Sequence, residues 1–98
     1  MNALADIRKL LEPASLGLPE PPRVVRIELE EGFDSTGDPA LYIWVLLDDE
    51  TTLHDEVTWQ NVKQINRTIR DTLRDADEQR WPYVRFRTES EHRTLIEE

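Results

Sequence analysis

Ninety-eight residues with 21 acids against 12 bases, a net charge of −9 and no cysteine read as one small domain with neither a disulfide framework nor a thiolate metal site. The apolar run Leu41 to Leu47 falls far short of the roughly 20 residues that span a bilayer. The start MNALADIRKL lacks the basic lead and long apolar stretch of a secretory signal, so a cytoplasmic chain without membrane association is expected.

Taken in order, residues 1–22 read as an arm and residues 23–98 as the core of a single domain, 1–98. Asn2 is placed to cap a short helix in which Leu4, Ile7 and Leu11 form one apolar stripe, and Pro13 ends it. The stretch PASLGLPEPP reads as an extended, polyproline-like connector. From Arg23 to Glu31, Val25, Ile27 and Leu29 alternate with Arg26, Glu28 and Glu30, which is the period of a half-buried strand. A loop rich in turn formers, Phe33 to Pro39, separates it from LYIWVLL, whose β-branched and aromatic residues mark a second strand, so the two form an antiparallel hairpin.

Thr58, or Asp55 if the helix starts earlier, caps a long helix with Val62, Ile65, Ile69, Leu73 and Ala76 along one side. Pro82 opens a third strand in which Val84, Phe86 and Thr88 alternate with Tyr83, Arg85 and Arg87. Thr88-Glu89-Ser90-Glu91 matches a capping box and announces a terminal helix holding Leu95 and Ile96. The fold class is therefore α+β: a three-stranded sheet made of the hairpin plus a strand added after a helical crossover. One long helix packs on one face, with short helices at the two termini.

The charge is unevenly placed. Between Glu28 and Glu56 stand ten acids and no lysine or arginine, and this stretch accounts for the whole imbalance. It nominates Glu28, Asp34, Asp38, Asp48, Asp49 and Glu50 as a rim that binds a basic protein partner, in the manner of an antitoxin-like inhibitor or adaptor. Strand alternation nominates a second surface. If Leu41, Ile43, Val45 and Leu47 face the long helix, then Tyr42, Trp44 and Leu46 face away from it, joined by Tyr83, Arg85 and Arg87. An aromatic centre with an arginine frame has the composition of an interface core, so either the N-terminal arm or a second copy in a homodimer is expected to cover it.

Catalytic signals are absent. No serine has a nucleophile-elbow context, and the three glycines make no phosphate loop. Asp34 to Asp38 lacks the ligand spacing of a calcium loop, and Glu89-x-x-His92 occurs once where di-iron bundles need two such motifs. No cofactor and no metal are expected. Nucleic acid is not expected either, because phosphate binding draws on a clustered basic surface. The alternative function is a small enzyme or ligand-binding subunit using carboxylates near His54.

Overall fold

The computed structural model describes residues 3–51 and 55–96. Asn2 and His54 lie outside the described residues, so neither the cap expected of Asn2 nor the site expected near His54 has a counterpart here. Helix α1 (Leu4–Leu10) starts at Ala3, without a side-chain cap, and buries Ile7; Leu11, just past its end, is buried too. The connector, expected to be extended throughout, instead begins as a short helix, α2 (Pro13–Leu16). Proline at a helix's first position loses no hydrogen bond there, and Gly17 stops the turn in the left-handed conformation at φ 61°.

The hairpin pairs β1 (Val24–Phe33) antiparallel with β2 (Pro39–Leu47), and β3 (Trp81–Thr88) lies parallel to β2 on its other side. The order is β1-β2-β3. Central position explains why LYIWVLL is apolar at nearly every residue: β2 has a neighbour on each edge and a layer on each face. At the start of β1 the simple alternation fails. The register shifts between Val24 and Arg26, so Val24 rather than Val25 joins Ile27 against the core.

The parallel strand needs a crossover, and α3 (Glu56–Asp75) supplies it. Its cap is Asp55, the earlier of the two candidate starts. The Asp55 carboxylate accepts from the Val57 and Thr58 N–H groups at 2.9 and 3.3 Å, while Thr58 is buried in the first turn. Ile65, Ile69 and Leu73 of α3 pack on Leu41, Ile43, Val45 and Leu47, and Leu29, Ile7 and Leu11 complete the same cluster. The N-terminal arm therefore covers the inner face beside α3, not the Trp44 face.

The outer face receives α4 (Glu89–Ile96) instead. Its start is the capping box foreseen at Thr88: the Glu91 N–H donates to Thr88 Oγ1, and the Thr88 N–H donates to Glu91 Oε1, both at 3.2 Å. Leu46 beneath it is fully buried. One further feature sits where α3 gives way to β3. Arg80, only 4% exposed, donates from Nε to the wholly buried Glu78 carboxylate at 2.7 Å and pairs through Nη1 with Glu31 at 3.1 Å. Among the described residues, no helix is long and apolar enough to cross a membrane.

Candidate functional site

The outer face divides into two halves. In the half under α4, Arg87 lies over the Trp44 ring with its guanidinium carbon 3.5 Å from the ring centroid, and the His92 ring sits 6.0 Å from the same centroid. His92 reaches across the sheet, its Nε2 2.6 Å from Glu28 Oε2 and its Nδ1 3.3 Å from Arg87 Nη1. A guanidinium nitrogen only donates, so Nδ1 accepts and the Nε2–H donates to Glu28. With both nitrogens engaged, His92 has no free position from which to act as a base. Glu28 also accepts from Arg26 at 3.0 Å, and Arg26 in turn pairs with Glu89 of α4. Burial pushes the Glu28 carboxyl up, but the bonds from Arg26 and His92 outweigh it and hold it below its usual range.

This half is a clamp that docks α4, and it takes up three of the six residues nominated for an interface, Trp44, Leu46 and Arg87. Tyr42, Tyr83 and Arg85 remain in the open half. There the Tyr42 and Tyr83 rings stack at 5.3 Å and 17°, and the Tyr42 hydroxyl donates to the Phe33 carbonyl at 2.8 Å. Gly32 makes room for this arrangement, since a Cβ there would stand 2.9 Å from the Tyr42 ring. The second copy expected from the sequence has only this open half left to it.

The six nominated acids do not form one rim. Glu28 belongs to the clamp. Asp34 and Asp38 stand at the hairpin tip, whereas Asp48, Asp49 and Glu50 follow the other end of β2. Nine residues of strand at about 3.4 Å each separate the two groups by roughly 31 Å, about four Debye lengths at physiological salt. The two ends therefore act as separate patches of charge.

Each end is held by its own turn. At the tip, Asp34 Oδ1 accepts from the Thr36 hydroxyl and from the Thr36 and Asp38 N–H groups at 2.6, 2.9 and 3.0 Å, and these bonds, the hydroxyl first, keep its carboxyl below its usual range. At the other end, the Glu50 N–H and then Arg23 do the same for Asp48, and the Ser90 hydroxyl and N–H do it for Asp49. The Asp49 bonds also tie α4 to the β2–α3 loop.

Carboxyls with lowered folded values contribute stability that is complete above the ordinary carboxylate range and is lost as pH falls through those lowered values. Glu28, Asp34, Asp48 and Asp49 all share this sign. The thermal midpoint is expected to decline below about pH 4, and Asp34→Asn is expected to decline less over that window. Comparing the two proteins separates this effect from relief of the net negative charge. Parallel pH profiles for wild type and variant would sink the assignment.

Two clefts lie at these ends. The hairpin-end cleft, of about 500 Å³, is lined by Asp34, Asp38, Pro39, Gln79, Trp81 and Tyr83. The opposite one, of about 460 Å³, includes Asp48, Glu50 and Asp55, but also Arg23. Trp81 is 58% exposed. Sequence reading missed it, although it shares strand parity with Tyr83 and so falls on the same face. Among the described residues, no three His, Asp or Glu side chains are grouped to hold a metal ion. No family model, no curated protein and no solved structure matches the chain.

Proposed function

We propose that this chain is a non-catalytic interaction module that binds a basic protein partner. The observation that carries the reading is the way the turns hold the acids. At both ends of the sheet, backbone N–H and hydroxyl donors fix carboxylates that stay ionised and face solvent. Such preoriented charge on a protein of net charge −9 steers a basic surface toward the ends of the sheet and raises the rate of encounter. His92, engaged at both nitrogens, offers this face no general base.

The test uses acids that hold no turn together. Among the described residues, the Asp38 side chain bonds only the Thr36 hydroxyl, at 3.1 Å, and the Glu50 side chain makes no hydrogen bond or ion pair, so Asp38→Lys and Glu50→Lys keep the fold while reversing charge at one end each. The chain immobilised on resin is expected to retain a basic protein from its native lysate. One of the two variants should weaken that complex by about fivefold or more, chiefly through a slower association rate that salt also depresses. A retained partner that is itself acidic, or one indifferent to both reversals, would overturn the reading.

A further inference from the structure

We propose that the hairpin-end cleft seats an arginine side chain of the basic partner, stacked on Trp81 and hydrogen-bonded to Asp34 and Asp38. The inference rests on the reading above and gives it an address and a residue type.

The two acidic ends differ in whether the chain supplies its own cation. At the β2–α3 end, Arg23 lines the cleft and donates to Asp48 through Nη2 at 2.8 Å and Nε at 3.2 Å, so that site already holds a guanidinium in a two-point grip. Among the described residues, no lysine or arginine lines the hairpin-end cleft. The nearest arginine in sequence, Arg80, is turned inward to Glu78 and Glu31. Two carboxylate oxygens are left for a visitor: Asp34 Oδ2 and Asp38 Oδ1 carry no hydrogen bond among the described residues, while Asp34 Oδ1 braces the turn and Asp38 Oδ2 accepts from the Thr36 hydroxyl.

The aromatic wall selects the type of cation. Trp81 is largely exposed beside Tyr83, and Tyr83 is held flat by its stack with Tyr42. A planar, weakly hydrated guanidinium stacks on such a wall and presents N–H groups along its edge to carboxylates. An ammonium keeps its water and makes a point contact. The same face already contains one example of this chemistry, Arg87 over Trp44. An arginine from outside at Trp81 would repeat it at the other end of the face, with Asp34 and Asp38 as counter-charges.

The experiment uses the full chain and three labelled Gly/Ser-rich nonapeptides, carrying two arginines, two lysines or two citrullines. Affinity is read by anisotropy at low salt, and the location by the tryptophan indole resonances, with Trp81 assigned through Trp81→Phe. The arginine peptide is expected to bind about threefold to fivefold more tightly than the lysine peptide, and citrulline is expected to abolish binding. The Trp81 indole and the amides of residues 34–38 should shift. Trp81→Ala or Asp38→Asn should remove the preference for arginine, and Trp81→Phe should keep part of it.

Equal affinity for arginine and lysine, or shifts confined to residues 48–51, would overturn this inference and leave the basic-partner reading standing. Binding of free arginine as tight as that of the peptide would replace the protein segment with a small molecule and overturn it too. Failure of both cationic peptides to bind at low salt would remove the inference and the reading together.

Discussion

Replacing Arg80 with alanine is expected to lower stability by about 3–5 kcal/mol, which in a domain of this size moves Tm down by at least about 12 °C. The reason lies in what the substitution leaves behind. Glu78 has no exposed side-chain surface, and the Arg80 guanidinium, itself buried, bonds it at 2.7 Å while also reaching Glu31. Without that guanidinium a carboxylate sits in a poorly solvated place facing no cation, and its desolvation is no longer offset. The paired change Glu78→Leu with Arg80→Met removes both charges at similar volume and is expected to recover most of the loss, because a buried ion pair gives little net stability over well-packed apolar groups. Urea midpoints for Glu78→Leu, for Arg80→Met and for the double variant measure the coupling. A loss below about 1 kcal/mol for Arg80→Ala would show that the pair behaves as an exposed one.

Ending the chain at Thr88 is expected to have the next largest effect. It removes α4, and with it the cover over Leu46, which is fully buried in the intact protein. Exposing one leucine costs about 1.5–3 kcal/mol, and the bonds of His92 with Glu28, of Glu89 with Arg26 and of Ser90 with Asp49 go with it. A fall in Tm of at least about 6 °C, a red shift in tryptophan emission as Trp44 meets water, and self-association through the bared strand should all appear. Leu46→Ala in the full chain reports the packing contribution alone and is expected to cost about 2–5 kcal/mol. A truncated chain that melts with the intact one would show that α4 is not packed on this face.

These two regions also mark what could and could not be read from the residues. Alternation in β1 and β2 assigned the two faces of the sheet, and the Thr88–Glu91 pair located the start of α4, because strand parity and helix capping are decided within a few residues. Parity does not say what covers a face. The same reasoning that required a layer over Trp44 offered the arm or a second copy for it and overlooked α4, and the arm went to the other side, where Ile7 and Leu11 join Ile65 and Ile69. A capping box likewise dates the beginning of a helix without telling where the helix lies down.

The candidate site was legible only in its parts. Ten acids close in sequence looked like one rim, yet β2 runs through the middle of that stretch and carries its halves to opposite ends of the sheet. Glu78 and Arg80 sit in a run, Asp75 to Arg80, whose composition is that of a solvated loop. Nothing local reveals that the chain tucks both of them inward. In the PASL segment, proline density suggested no regular structure, while the tolerance of a first-turn proline and the freedom of Gly17 permitted one turn of helix.

The central place of β2 has a consequence for the chain while it is being made. Its partner β3 arrives more than 30 residues later, after the whole of α3, and α4 comes last. A nascent chain that has completed the hairpin therefore carries LYIWVLL apolar on both sides with one edge unpaired. Such a segment pairs readily with copies of itself. Asp38 immediately precedes the strand, and Asp48, Asp49 and Glu50 immediately follow it, so any second hairpin stacking in register must bring four like charges onto four others. Acids that face solvent at the two ends of the sheet in the finished fold thus also act as gatekeepers against aggregation in the unfinished one.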